Sequence, residues 1–498
     1  MRRFINKKIS SIIFVVPFLL LGSISKTNAQ NITAKDSVLL AAEANCSQNI
    51  FHRILLGKHY RPLWKTPVTV RKLDLENSGY KIIREGGSRE TFNLRLTDSL
   101  GRQFVARSVK KDLTKALPAD KQQSFIGKLF RDLMFANHPY GPLVVPPLAK
   151  AAGILHCTPS LFVIYPDKNI DNQFKNDSAS LMVLLEERPD ASWADDARFN
   201  YSSKVVGSEE FLKDILDHNN TNVDAELFLR NRILDIFIGD WSRHEDQYRW
   251  VVKDTNKIKF YQPVPRDRDH AFYKFNDGLI NKISLLMIPK TVTFTKKVKH
   301  IDHLYIVGSV LGKIILPEIE KERWNNIVNE IKLNLTDEVI EKAVARLPVE
   351  IHNKTGAKFI RDLKSRRNQL TRTGNKFYKL IFTKPNVIGT NEEEIFIVTR
   401  SENNTRVQVF SKLSSDLTGH MLSDRIFYNN ETKSISIFGL EGNDVINITG
   451  NPKGIKLEIH PGPGEDSVNI DPGKGKHIQV HDKDEFNFTQ IFLKQHMQ

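Results

Sequence analysis

Cysteine is almost absent from this chain. Only Cys46 and Cys157 occur among its 498 residues, so no disulfide framework holds the fold together. One bridge between the two and a pair of buried thiols are both compatible with the sequence. After residue 29 no stretch approaches the ~20 consecutive apolar residues of a membrane-spanning helix, which excludes a helical integral membrane protein. The chain has no H-E-x-x-H run and no D-x-H pair, so the commonest hydrolytic metal cages have no anchor here. Acidic residues are the minority charge, 58 against 73 Lys and Arg. No nucleic-acid-binding motif accompanies that basic excess, so the expected partners are other anions: an envelope surface, an acidic protein or a glycan.

The N-terminus carries an export signal. Arg2, Arg3, Lys7 and Lys8 precede an apolar run from Ile9 to Leu21, and Thr27-Asn28-Ala29 places a small residue just before Gln30. That order reads as a secretory signal peptide over residues 1–29, its apolar core too short for a span. No Cys follows the run, which argues against a lipoprotein. Removing the segment lowers the formal charge from +15 to +10, because it holds five basic and no acidic side chains. The mature chain is expected to be periplasmic, associated with the outer membrane or extracellular. Its roughly 470 residues exceed one core and predict two or three domains.

Residues 30–75 read as a helical and aromatic-basic segment, including Phe51-His52-Arg53 and Tyr60-Arg61-Pro62-Leu63-Trp64. Alternation at Phe92, Leu94 and Leu96, a turn at Asp98–Gly101 and a second alternating run from Phe104 to Val109 predict a β-hairpin. Gly86 and Gly87 lie in its entry loop. A helical pattern spans 120–137, and strands are expected at Leu161–Tyr165 and Leu181–Glu186. The second strand stops at a hinge-like Glu186-Glu187-Arg188-Pro189. Helix is expected over 208–238 and again from about Ile301 to Leu347. Residues 348–379 read as a connecting helix with a basic face, and residues 380–498 as an all-β domain of short strands. Within that domain Gly442-Asn443-Asp444 and Gly464-Glu465-Asp466 recur 22 residues apart, each followed by a strand. They resemble the calcium-binding nonapeptide turns of β-roll proteins, which makes Ca²⁺ a candidate ligand there.

Two polar clusters interrupt apolar segments: Gly239-Asp240-Trp241-Ser242-Arg243-His244-Glu245-Asp246-Gln247 and Arg266-Asp267-Arg268-Asp269-His270. Phosphoryl transfer needs a phosphate cradle, a cation on the phosphates, metal-binding carboxylates or amides, and a group that orients the nucleophile. The chain order supplies candidates for all four. The first cluster resembles the G-[ND]-x-D-R-H-x-x-[NQ] catalytic loop of atypical kinases, including secreted casein-kinase-like, HipA-type and phosphatidylinositol kinases. The second resembles their metal-binding segment. Together they are also similar to a group of exported Bacteroidetes proteins in which this segment accompanies a metallophosphoesterase domain or an outer-membrane barrel.

The resemblance implies an α+β fold, a bilobal kinase-like domain over residues 76–347 with lobes 76–187 and 188–347, followed by the β-rich domain with its strand-turn repeats. It implies ATP with Mg²⁺ or Mn²⁺, held by Asp267, Asp269 and Gln247. Gly86 and Gly87 would cradle phosphate. Arg107, with Lys110 as its rival, would contact it, and Asp132 would be the acidic partner on a helix. Asp240, Ser242 and His244 would form the catalytic loop. It also implies an outer-membrane or phosphoesterase partner. Two positions depart from the pattern. Arg107 stands where a conventional kinase uses Lys, which Arg does not replace equivalently. Ser242 stands where Asp is expected, and a neutral hydroxyl is no general base. Asp240 is then the substitute base, and a slow phosphotransferase or pseudokinase becomes a leading reading. The alternatives are a non-catalytic envelope module, in which Arg243, Arg249, Arg266 and Arg268 pair with the carboxylates, and a metal-dependent phosphohydrolase using Asp240, His244, Asp267, Asp269 and His270.

Overall fold

The fold is described from a computed structural model covering residues 36–481 apart from 47, 76, 87–90, 166–180, 191, 256–257, 276, 281–291, 414–416 and 474. The segment 1–29 expected as an export signal and Gly87 lie outside these residues. No helix among them is long and apolar enough to cross a membrane.

Seven strands form the first sheet: β1 (Ser37–Leu40), β2 (Val68–Lys72), β3 (Lys81–Gly86), β4 (Asn93–Thr97), β5 (Gln103–Ser108), β6 (Ser160–Ile164) and β7 (Leu181–Glu187). Their spatial order is β1-β2-β6-β7-β5-β4-β3. The expected hairpin is β4–β5, with Leu94 against Ala106 and Leu96 against Phe104. The described residues of the segment 30–75 differ from expectation, because β1 and β2 extend this same sheet, with the short helices Ile50–Leu56 and Arg61–Trp64 between them.

The second layer is helical. The helix Ala225–Ile238 is buried on almost every side, so its sequence reads as a continuous apolar run rather than a stripe. Around it lie the helices Gly141–Ala151, Lys321–Asn334, Asp337–Val344, Val349–Asn368 and Leu370–Phe382, and a four-stranded sheet of β8 (Lys204–Gly207), β9 (Thr221–Val223), β10 (Tyr248–Thr255) and β11 (Ile258–Pro265). The segment expected as a connector is thus two helices of the core, burying Phe359, Leu363, Phe377 and Phe382. Most of its basic side chains are committed internally. Lys358 pairs with Asp362, Lys364 with Asp337 and Glu341, and Arg367 with Asp337.

The C-terminal region is built of strands, as expected: β12 (Asn386–Ile388), β13 (Glu394–Arg400), β14 (Asn404–Leu413), β15 (Leu417–Tyr428), β16 (Ser434–Phe438), β17 (Val445–Gly450), β18 (Lys456–His460), β19 (Ser467–Ile470) and β20 (Ile478–Val480). Two parallel ladders, β12-β16-β18-β20 and β13-β17-β19, are fed alternately by the chain. Ser434 lies against Lys456 and Val445 against Ser467, so one coil is 22 residues. The hairpin β14–β15 is inserted after the first coil. At the turns Gly462 (φ +96°) and Gly464 (φ +145°) adopt conformations that favour glycine, and a Cβ on either would collide with the carbonyl of Leu440 or Gly442 in the coil above. The turn carboxylates bond the coil before them: Asp444 Oδ1 accepts from Glu394 N (2.8 Å) and Asp466 Oδ1 from Asp444 N (3.0 Å).

Candidate functional site

The helix Ala225–Ile238 ends where Gly239 turns left-handed (φ +71°) and its N–H bonds the carbonyls of Asp235 and Ile236. This stop launches the first polar cluster. Arg366, only 2% exposed, donates to the carbonyls of Ile236 and Phe237 at 2.6 Å each and to Thr295 and Lys297. A cation thus serves the helix's unpaired carbonyl end. The loop is then fixed by a buried charge network. Asp240 accepts from Arg243 at 2.8 Å, and Asp235 pairs with Arg232, Arg243 and Arg268. Arg243 also donates to the carbonyls of Arg266 and Gln247, and Arg266 N donates to Gln247 O at 2.8 Å. The two clusters that stand apart in sequence are thereby stapled together.

Ser242 donates its hydroxyl to Asp240 Oδ1 at 3.1 Å. Asp240 itself is wholly buried and saturated by Arg243 and Ser242. It is shaped as an anchor for the loop, not as an exposed base. An aspartate in place of Ser242 would set two carboxylates side by side in this enclosure. His244 is half-buried, and burial lowers its pKa, so its imidazole is neutral near neutral pH.

The carboxylate of Asp267 makes no hydrogen bond or ion pair among the described residues; that of Asp246 shares this but is exposed, whereas Asp267 is half-buried. The Asp267 backbone is left-handed (φ +53°), an unfavourable state for a non-glycine residue. Burial opposes its ionisation, but Arg107, Lys111, His270 and Arg243 nearby hold its pKa below the usual carboxylate range. Asp269 is pushed up instead, by burial and by the charge of Asp267, while it pairs with Lys111 Nζ at 2.6 Å.

These residues border two narrow adjoining hollows, of about 20 Å³ each, between the first sheet and the helix Gly141–Ala151. Arg107, Lys111, Glu186 and Asp269 line the first, Glu186, Arg266 and Asp267 the second. Arg107 and Glu186 stand on the same face of β5 and β7 and form an ion pair. Burial raises Glu186 to about 7 against the lowering pull of Arg107, and the charges of Asp267 and Asp269 add to the rise. Gly141, opening the helix below, lets the carbonyl of Ala271 approach its backbone closely.

Of the cofactor residues expected from sequence, Arg107 meets Asp267 and Asp269 in this cleft. Gly86 stands opposite Asn93, and Asn93 opposite Arg107, so the glycine end of the hairpin is two strands away at the same end of the sheet. Lys110 turns out to solvent and pairs with Glu43; its neighbour Lys111 is the lysine that enters. Asp132 is not the partner of Arg107. It faces the N-terminal segment, bonding His52 at 2.8 Å and Arg61, because the helix Phe125–Leu133 packs beside those residues rather than over the cleft. Glu186 was missed as a site residue, although two acids ending an otherwise apolar buried strand are a legible signal.

Several buried polar atoms here lack a protein partner: Gln247 Oε1, His270 Nδ1 and both side-chain heteroatoms of Asn137. Buried groups of this kind are costly unless something satisfies them. An oxygen-rich set of Asp267, Asp269 and Gln247 fits a hard divalent cation, and the cationic Arg107 and Lys111 fit phosphate.

No protein-family model matches the chain, and no curated protein sequence matches it significantly. Among solved structures, the Helicobacter pylori proinflammatory kinase CtkA is similar over 61% of this chain and 98% of its own, with 9% identity and a TM-score of 0.31. The amicoumacin kinase hAmiN, solved with AMP-PNP and Ca²⁺, is similar over 59% of this chain and 89% of its own, with 11% identity and a TM-score of 0.15. At these scores both are distant neighbours only.

Proposed function

We propose that this chain is an exported kinase-like protein whose cleft binds a nucleotide phosphate together with a divalent cation, acting as a slow phosphotransferase or a pseudokinase. The observation that carries this reading is Asp267, an ionised carboxylate left without a direct partner on a left-handed backbone, facing Arg107, Lys111 and Asp269. Structural ion-pair networks perturb pKa values too, but such networks consume their carboxylates, as Asp240 and Asp235 are consumed here. Asp267, Asp269 and Gln247 would hold Mg²⁺ or Mn²⁺, which would offset phosphate charge. Lys111 and Arg107 would bind the phosphates, and the glycine end of the β3–β4 hairpin would cover them.

The loop read as catalytic offers no exposed base, since Ser242 is neutral and Asp240 is sealed. Loss of such a base costs ~10²–10⁴-fold in rate, which favours slow transfer or binding alone. Neutral His244 is the remaining proton acceptor of the loop. In the C-terminal coils Asp444 and Asp466 each give one oxygen to a main-chain N–H, while Asp444 Oδ2 is buried without a hydrogen-bond partner among the described residues, so Ca²⁺ at those turns is kept as a weaker reading. The signal read at residues 1–29 would put the activity in the periplasm or at the outer membrane, where a phosphoesterase or barrel partner would be met.

The test is a thermal-shift titration with ATP plus Mg²⁺ or Mn²⁺. At 100 times Kd a ligand adds about 2.7 kcal/mol of stability, and the shift should disappear in Asp267→Asn and weaken in Lys111→Met. An unchanged melting curve with nucleotide, or a shift that survives Asp267→Asn, sinks the reading. Phosphate release from esters without nucleotide would favour the hydrolase instead.

A further inference from the structure

Away from the cleft, a concavity of about 520 Å³ opens between the segment 297–301 and the helix Leu370–Phe382. Lys297, Lys299, His300, Arg372 and Lys376 line it, and no carboxylate does. The four Lys and Arg side chains are exposed and make no ion pair among the described residues, unlike Lys358, Lys364 and Arg367 of the preceding helix. Clustering like charges without counter-charges is unfavourable for the isolated fold.

The lysine-bearing segment is also held in place. Arg366 grips the carbonyls of Thr295 and Lys297, Gln369 donates to Lys296 O at 2.9 Å, and His300 is left-handed (φ +51°). Two of these anchors come from the region where the opposing helix begins, so both walls are fixed relative to each other. A pre-organised basic concavity is a receptor for a multiply charged anion. The same place offers His300, Asp302 and His303 within ligating distance of one another, but a divalent cation there would face four uncompensated positive charges.

We infer that this concavity binds an anion carrying phosphate groups, independently of the nucleotide cleft. Lys297 and Lys299 contact it from one wall, Arg372 and Lys376 from the other. Arg supplies a planar two-pronged donor to phosphate oxygens and Lys a point charge.

The experiment measures binding of pyrophosphate, and separately of phosphatidylglycerol vesicles against phosphatidylcholine vesicles, to the full chain. The double variant Arg372→Glu/Lys376→Glu is compared with Lys253→Glu/Lys433→Glu, which makes the same charge change at exposed sites elsewhere. Binding of pyrophosphate or of phosphatidylglycerol is expected to fall at least roughly tenfold in the first pair and little in the second. It should also weaken as salt rises through ~0.15 M. Pyrophosphate binding identifies a soluble ligand; phosphatidylglycerol binding without it identifies a lipid headgroup. Either result, with the variant dependence, supports the site. Binding of neither probe overturns it, as does equal loss in both pairs or retention in the Arg372→Glu/Lys376→Glu protein. The nucleotide-dependent thermal shift should persist in that protein, which separates failure here from failure of the cleft.

Discussion

Asp240 and Asp267 are carboxylates of adjacent loops with opposite physical roles. Asp240 is inside, bonded to Arg243 and Ser242, and its removal would leave the Arg243 guanidinium buried without its closest counter-ion. Asp240→Ala is therefore expected to cost about 3–5 kcal/mol, read by thermal or denaturant unfolding. Asp267 has no direct partner to lose, so Asp267→Asn should stay within about 1 kcal/mol of wild type while abolishing ligand response. Equal destabilisation by the two substitutions would make Asp267 a structural residue. This contrast was invisible in sequence. Both aspartates sit in polar clusters of similar composition, and only the path of Arg243 decides which of them is sealed.

Among the elements, the C-terminal coils carry a distinct pH dependence. Asp444 is 1% exposed, and burial together with the neighbouring Glu394 and Asp466 raises it to about 8, against an ordinary 3.8. A carboxyl whose folded pKa is raised binds its proton more tightly when folded. Stability is therefore greatest below pH ~4, falls as pH rises through the interval to ~8, and is flat beyond. Asp444→Asn keeps the oxygen that accepts from Glu394 N and cannot ionise. It should flatten this dependence and raise Tm at pH 8 by roughly 2–4 °C. A Tm-against-pH profile of both proteins checks it, and parallel profiles would remove Asp444 as the cause. The Gly-x-Asp repeat was legible as a turn signal. That its Asp would bond the coil before it depends on the 22-residue register and the glycine contacts between coils.

For the whole molecule, one apolar core runs from the first sheet through the helices into the coils, joining Val68, Phe237, Trp324, Phe382 and Ile446. Polar seams add to it. Asn391 N donates to Leu216 O at 2.6 Å and its side chain to Asp217 at 2.7 Å. Deleting residues 384–498 should therefore not liberate an intact front half. The expected product has a lower Tm and binds a hydrophobic dye, since Tyr378 and Phe382 lose their cover. A truncated protein that melts like the full chain would show two independent units. Arg366 links the same scales, because it ties one helix to the start of the catalytic-type loop and to the segment carrying Lys297. Arg366→Met should lower Tm and weaken the nucleotide-dependent shift together.

By itself the sequence determined the β4–β5 hairpin, the α+β composition, the strand-rich C-terminal region and the two polar clusters, because alternation, turn residues and charge density are local properties. It also marked Ser242 as a departure, since that judgement needs only the order of residues in one loop. What the tertiary structure alone decided is which charges meet. Arg107 found Glu186 across two strands, Lys111 rather than Lys110 reached Asp269, and Asp132 turned to His52 and Arg61. Lys358, Lys364 and Arg367 found carboxylates, whereas Arg372 and Lys376 on the next helix face the lysines of another segment. Pairings of this kind are set by which faces the packed elements present to one another, and residue order does not encode that until the core has formed.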